Sequence, residues 1–302
     1  MALHSDTVLI TGSGGFTGRA LASAFSARGS SVVGLSKAPR EAWELEGDLL
    51  DRPGLASTLA ETRPDIVIHL AGISSPVHGD ISEIYEANVV GTASLISSIS
   101  RSVQRPRLIL VASSATVYAK ADSGVAQRET DSLEPVTHYA ASKLAVEHIC
   151  NISGDLPIRV LRPFNYTGAG QGENFLVPKI VAHFARDTGE IELGNLDLER
   201  DISDISDVVE SYIRLSQMPS GEVLNLCSGV PAPLTSIVDI LREISGRSMR
   251  VRVNEKFVRP GEPKRIFGDR SALDGAIGSW KRRTLHDTLS AMYSAALQDN
   301  GA

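Results

Sequence analysis

The sequence predicts an α/β protein, a doubly wound parallel sheet followed by a smaller α/β C-terminal domain. Three observations predict it. Short apolar runs alternate with helical segments through roughly the first 165 residues. A glycine-rich turn joins the first run to the first helical segment. Beyond residue 165 the alternation gives way to Gly- and Asn-containing turns, shorter strands and more widely spaced helices. Strands alternating with helices form βαβ units, which bury a parallel sheet and present ligand sites at the strand carboxyl ends.

Thr7-Val-Leu-Ile-Thr11 reads as a short buried strand. Residues 19–28 carry Leu21 and Phe25 on one face and stop at Gly29, a natural helix end. Ser31-Val-Val-Gly-Leu35 is the second strand, and a third ends at Gly47-Asp48-Leu49. Asp65-Ile-Val-Ile-His-Leu70, Arg107-Leu-Ile-Leu-Val-Ala112 and Ile158-Arg-Val-Leu-Arg162 supply the next three. Helices are expected between them over 81–100 and 139–151, and later over 234–244 and 284–296. The last has Leu285, Thr288, Leu289 and Met292 at helical spacing. The expected domains are 1–165, which binds a dinucleotide and receives part of 201–226, and 166–302, which mainly supplies substrate contacts.

A chain of 302 residues is long enough for two such domains. Its 42% hydrophobic content and mean hydropathy of −0.02 fit a soluble globular protein. No run approaches the roughly 18 apolar residues of a membrane span. The opening Met-Ala-Leu-His-Ser-Asp lacks a basic region followed by an apolar stretch, so a cytoplasmic protein is expected. Cys150 and Cys227 stand in no metal spacing and read as buried thiols. A net charge of −6 argues against general nucleic-acid binding but leaves room for an anionic small molecule in a local basic pocket.

Thr11-Gly-Ser-Gly-Gly-Phe-Thr-Gly18 lies between the first strand and the first helix. Gly12, Gly15 and Gly18 have the spacing that turns a backbone sharply and brings it to a pyrophosphate, with the helix N-terminus facing the phosphates. This is a Rossmann-type signature. An acid at the end of the second strand would hold the ribose 2′-hydroxyl of NAD. Here that strand runs into Ser36, Lys37 and then Arg40, a hydroxyl and two cations that suit a 2′-phosphate, so NADP(H) is favoured and NAD(H) is the alternative. Asp48 is placed to accept from the adenine amino group. His69-Leu70-Ala71-Gly72 ends the fourth strand with small residues that give a cofactor room, and His69 itself reads as structural.

Tyr139 and Lys143 stand four residues apart, with Ser114 upstream in Val111-Ala-Ser-Ser-Ala-Thr-Val-Tyr118. Positions i and i+4 share a helix face. An ammonium beside a phenol stabilises phenolate and lowers its pKa, and a serine hydroxyl can hold a carbonyl oxygen against that phenol. This is chemistry for hydride transfer at a carbinol carbon. Alone, the spacing equally describes a solvated helix face.

Taken together, Thr11–Gly18, Asp48, His69–Gly72, Asn88, Ser114, Tyr139 and Lys143 resemble the extended short-chain dehydrogenases/reductases, the NAD-dependent epimerase/dehydratase family. The resemblance implies that Tyr139 is the catalytic acid/base, that Lys143 binds the nicotinamide ribose and tunes Tyr139, and that Ser114 orients the substrate oxygen. It implies a cofactor site built from Gly12, Gly15, Phe16, Thr17 and Gly18, from Ser36, Lys37, Asp48 and Leu49, and from Leu70, Ala71, Gly72 and Pro163. It also implies a homodimer formed through the helix that holds Tyr139.

Arg162-Pro-Phe-Asn-Tyr-Thr-Gly168, Gly194-Asn-Leu196, Glu199-Arg-Asp201 and Arg259-Pro-Gly-Glu262 resemble the nucleotide-sugar branch. By that resemblance Asn165, Arg200 and Arg259 contact the sugar diphosphate, Glu262 holds the nucleoside ribose, and Lys179 adds positive charge. The branch members most resembled reduce the 4-ketone of GDP-4-keto-6-deoxy-D-mannose to GDP-D-rhamnose. Dehydratases of this family place an acid and a base directly after the serine. Ala115 and Thr116 stand there, and neither offers a proton-transfer group of useful pKa. Two alternatives stay open: a 4-epimerase with tightly bound NAD, and a non-catalytic NADP-binding regulatory protein.

Overall fold

The structure, a computed structural model, describes residues 6–74, 79–119, 124–258 and 262–300. In chain order the elements of the first half are β1 (Thr7–Thr11), α1 (Phe16–Ala27), β2 (Ser31–Ser36), β3 (Glu44–Glu46), α2 (Arg52–Thr62), β4 (Ile66–His69), α3 (Ile81–Tyr85), α4 (Gly91–Arg101), β5 (Leu108–Ala112), α5 (His138–Ile152) and β6 (Ile158–Pro163). The second half continues with β7 (Asn165–Thr167), α6 (Leu176–Arg186), β8 (Glu190–Leu193), β9 (Glu199–Asp204), α7 (Ile205–Leu215), β10 (Leu224–Leu226), β11 (Pro231–Pro233), α8 (Leu234–Ser245), β12 (Arg250–Val253), β13 (Arg265–Ile266), α9 (Ser271–Ile277) and α10 (Leu285–Asn300).

Seven strands form one sheet in the order β10-β6-β5-β4-β1-β2-β3. Every neighbouring pair from β3 to β6 is parallel. The strand order reverses between β1 and β4, which makes their carboxyl ends the topological switch point where such sheets bind ligands. This is the doubly wound Rossmann-type sheet that the alternating pattern predicts. Leu9, Val67, Ile109 and Val160 bury their side chains with Leu55 and Leu59 of α2 and Leu95 and Ile99 of α4. Helices cover the sheet, so β1, β4 and β5 read as continuous apolar runs rather than alternating ones.

The chain divides into two compact units. The first comprises 1–119, 129–163 and 209–225, and the second 120–128, 164–208 and 226–302. In the second, β9 pairs with β7, β11 and β13, and β8 pairs with β12. Its core gathers Ile180 and Phe184 of α6, Ile237 and Leu241 of α8, and Leu289 and Met292 of α10.

Two elements differ from the reading of the sequence. Helix α1 begins at Phe16 rather than near residue 19, because Gly15 serves as its N-cap and Gly18 packs inside its first turn. The single helix expected over 81–100 is three pieces. A π-helical turn over Glu86–Val90 separates α3 from α4 and buries Asn88. A π turn inserts a residue and breaks the 3.6-residue period, which periodicity read along the chain does not reveal. Both cysteines are buried free thiols. Among the described residues, no helix is long and apolar enough to cross a membrane.

Candidate active site

The glycine turn has the geometry that its spacing implies. Gly12 holds φ +72°, and a Cβ there would lie 2.7 Å from the Ala71 nitrogen. At Gly18 a Cβ would meet the Gly12 and Ser13 carbonyl oxygens at 2.6 Å. One glycine turns the chain and the other lets α1 close onto the turn. Gly15 gives α1 no side-chain cap, and the helix macrodipole puts its positive end at this N-terminus. A pyrophosphate fits this backbone cradle.

Ser36 ends β2, and its Oγ lies 3.4 Å from where a Gly14 Cβ would stand. Lys37 Nζ sits 2.9 Å from Asp48 Oδ2. Both side chains are largely solvated, so this pair is weak and easily exchanged for another partner. The Leu50 N–H and the Lys37 ammonium hold the Asp48 carboxyl below the usual range against a smaller opposing effect of burial. Leu49 is buried beneath Gly91. Leu70 and Ala71 hydrogen-bond to Thr11 across the switch point, and Pro163 closes β6.

His69 is a core residue. The Thr92 hydroxyl donates to the Asn88 carbonyl, so it accepts from His69 Nε2 at 2.9 Å. Thr11 accepts from the Ala71 N–H and donates to His69 Nδ1 at 2.7 Å. Thr92 therefore fixes a proton on Nε2, and with the ring neutral Nδ1 accepts from Thr11. Burial, with the Lys143 charge adding to it, pushes the pKa of His69 down to about 3.

Asn88, carried inward by the π turn, accepts from the Ile73 N–H at 2.8 Å and donates to Ser142 Oγ at 2.9 Å. Gly72 has φ +146°, and a Cβ there would lie 2.4 Å from Asn88 Oδ1 and 3.9 Å from Lys143 Nζ. The small residues after β4 thus make room for Asn88 and bring the chain close to Lys143.

Lys143 is buried in α5 and donates from Nζ to the Ala112 carbonyl at 3.0 Å. Burial drops its pKa from 10.5 to about 8, with Cys150 opposing. Tyr139 stands one turn earlier on the same helix and is likewise buried. Helix α5 packs on the short 3₁₀ turn Ala115–Val117 that Ser114 caps. Ser114 Oγ accepts from the Thr116 N–H at 3.2 Å and from the Thr116 hydroxyl at 2.9 Å. With these two acceptor positions taken, the O–H of Ser114 is left to donate among the described residues.

Two groups escaped the reading of the sequence. Glu147 and Arg162 form a buried bidentate ion pair, with Nε–Oε1 2.9 Å and Nη2–Oε2 2.7 Å. Ser113 donates to the same carboxylate, and Arg162 also donates to Tyr118 Oη at 3.1 Å. This network braces α5 against the ends of β5 and β6. Glu44, at the start of β3, accepts from Ser13 Oγ at 2.5 Å and from the Arg40 and Glu41 N–H groups at 2.8 and 3.3 Å. The end of β2 has no carboxylate in sequence, yet β3 brings one beside it. The only sequence signal is a glutamate in a three-residue strand.

The candidate substrate residues of the second unit are engaged with one another or with backbone. Asn165 Nδ2 donates to the Asp201 carbonyl at 3.2 Å. Lys179 donates to the Glu192 carbonyl at 3.0 Å and lies over the Phe257 ring. Arg200 is buried rather than a surface charge; its Nη1 bonds to the carbonyls of Glu199, Pro263 and Lys264. Its Nη2 lies 2.9 Å from Glu262 Oε1, an ion pair without hydrogen-bond alignment. Arg259 lies outside the described residues.

The family model described as the NAD dependent epimerase/dehydratase family matches residues 8–227. The chain is 34% identical to a GDP-6-deoxy-D-talose 4-dehydrogenase of Aggregatibacter actinomycetemcomitans, over 96% of this chain and 98% of that protein. It is 29% identical to a GDP-6-deoxy-D-mannose reductase of Pseudomonas aeruginosa, over 96% and 97%. The structure of RMD from Pseudomonas aeruginosa complexed with NADPH superposes with a TM-score of 0.86 at 28% identity, covering 98% of this chain and 100% of that one.

Proposed function

We propose a reaction from the premise that the chain belongs to the NAD dependent epimerase/dehydratase family. It is an NAD(P)-dependent enzyme of nucleotide-sugar chemistry. The reaction is the NADPH-dependent reduction of the 4-keto group of a nucleotide-linked 6-deoxyhexose. The best candidate is GDP-4-keto-6-deoxy-D-mannose, giving GDP-D-rhamnose, by an enzyme that works as a cytoplasmic homodimer.

One observation carries this reading. Ser114, Tyr139 and Lys143 are all present, while Ala115 and Thr116 leave no second acid or base, and the Thr116 hydroxyl is spent on Ser114. The nicotinamide cofactor, when bound, supplies the hydride. Ser114 donates its O–H to the C4 carbonyl oxygen, and Tyr139 gives its proton to that oxygen as it becomes an alcohol. The Lys143 ammonium favours the phenolate left on Tyr139. With pyrophosphate at residues 12–18, the cofactor would run past Ala71 and Gly72 toward this group.

The 34% identical relative supports a second reading. Rhamnose and 6-deoxytalose differ only in configuration at C4, so one ketone leads to either product according to the face that receives hydride. The test is to supply the purified protein with GDP-4-keto-6-deoxy-D-mannose, follow NADPH absorbance and read the C4 configuration of the product by NMR. Absence of NADPH consumption, together with one NAD per chain surviving purification, would replace the reductase with a 4-epimerase. Tyr139→Phe should lower turnover by about three orders of magnitude while leaving NADPH affinity unchanged. Retained turnover would remove Tyr139 from the mechanism.

A further inference from the structure

The residues after β2 suit a 2′-phosphate, but the structure sets an opposing charge beside them. Glu44 Oε1 lies 3.6 Å from the position that a Gly14 Cβ would occupy, and Ser36 Oγ lies 3.4 Å from the same point. The glutamate and the serine therefore flank one spot above the glycine turn, at the end of β2, where dinucleotide folds read the adenosine ribose. Glu44 is covered by its surroundings, yet three donors reach it: Ser13 Oγ on Oε1, and the Arg40 and Glu41 N–H groups on Oε2. Burial alone would raise its pKa, but these hydrogen bonds outweigh it, and the carboxyl is held below its ordinary value. A carboxylate offers about four acceptor positions. Among the described residues three are filled, and the one left is on Oε1, the oxygen that faces Gly14. Meanwhile Lys37, the cation expected to take a 2′-phosphate, is paired with Asp48.

We propose that Glu44 is the acceptor for the ribose 2′-hydroxyl and the residue that limits selectivity for a 2′-phosphate, so that the enzyme binds NAD(H) as well as NADP(H). A 2′-hydroxyl brings a proton for the remaining position on Oε1. A 2′-phosphate brings negative charge against a fixed carboxylate, and the attraction of Lys37 and Arg40 is set against that repulsion. The inference rests on the NAD(P) reading of the glycine turn and not on the identity of the sugar.

The experiment is calorimetric binding of adenosine 2′,5′-bisphosphate, 5′-AMP and 2′-deoxy-5′-AMP to wild type and Glu44→Gln, with no sugar nucleotide present. Gln keeps the acceptor for the two backbone N–H groups and removes the charge. The ratio of bisphosphate to 5′-AMP affinity should rise about tenfold in the variant, the scale expected for removing one unit charge near the site. In wild type, 5′-AMP should bind several-fold more tightly than its 2′-deoxy analogue. An unchanged ratio in Glu44→Gln would reduce Glu44 to an anchor for the loop after β2. Should that variant fail to unfold cooperatively, the wild-type comparison decides: equal binding of 5′-AMP and 2′-deoxy-5′-AMP would overturn the assignment. Failure of all three nucleotides to bind would overturn it together with the dinucleotide site, whereas failure of the ketoreductase assay alone would leave it standing.

Discussion

Lys143 should make the protein's stability rise with pH in a window where most proteins show little change. Burial moves its pKa from 10.5 to about 8. Between those values the unfolded chain holds a proton that the native protein has released. Stability increases with pH wherever the unfolded state binds more protons, so it rises across this window and the penalty is fully present below about pH 8. At about 1.4 kcal/mol per pH unit, the displaced titration amounts to about 3 kcal/mol. Lys143→Met removes the titration while keeping the side-chain length. Urea unfolding of wild type and variant, each in a shared Trp280→Phe background, leaves Trp43 to report on the first unit. The wild-type free energy minus that of the variant should climb by about 3 kcal/mol from pH 7.5 to 10.5. Groups that titrate alike in both proteins cancel. A flat difference would mean that Lys143 is solvated, and would refute the reasoning that burial lowers its pKa.

Two further outcomes follow from the same physics. Arg162→Met leaves the Glu147 carboxylate buried with the Ser113 hydroxyl donating to it and no cation beside it, and should cost about 3–5 kcal/mol in urea unfolding, most of it recovered in Arg162→Met/Glu147→Leu. A loss below about 1 kcal/mol for the single variant would show that the pair is not desolvated. His69 is neutral in the folded protein down to about pH 3, whereas the unfolded chain protonates it near 6.5. Stability therefore falls with acidity below pH 6.5, and His69→Gln should remove about 1.4 kcal/mol per pH unit of that slope. Equal slopes between pH 6.5 and 4.5 for the two proteins would contradict a neutral buried ring.

Much of the site was legible because its signals are local. The three-residue spacing of Gly12, Gly15 and Gly18 depends on backbone sterics that neighbouring residues dictate. The Tyr139–Lys143 spacing depends on helix geometry alone. His69 could be read as structural because it ends an apolar strand. Asn88 was legible as part of a family pattern, but the π turn that buries it was not, since one inserted residue is invisible to a period of 3.6. The arginines were legible as charges but not as partners. Arg200 reads as a cation for a diphosphate, and folding ties it to three carbonyls and places it against Glu262.

By itself the sequence determined the order of the main strands and helices, the glycine turn and the residue types of the candidate catalytic group, because each rests on contacts within a few positions of chain. Only the tertiary structure decided how those residues are tuned. Lys143 meets the end of β5, 31 residues away, and loses its water there. Glu44 reaches Ser13 across 31 residues because β3 lies beside β2. Desolvation and through-space charge depend on which segments pack together, and spacing along the chain carries no measure of either.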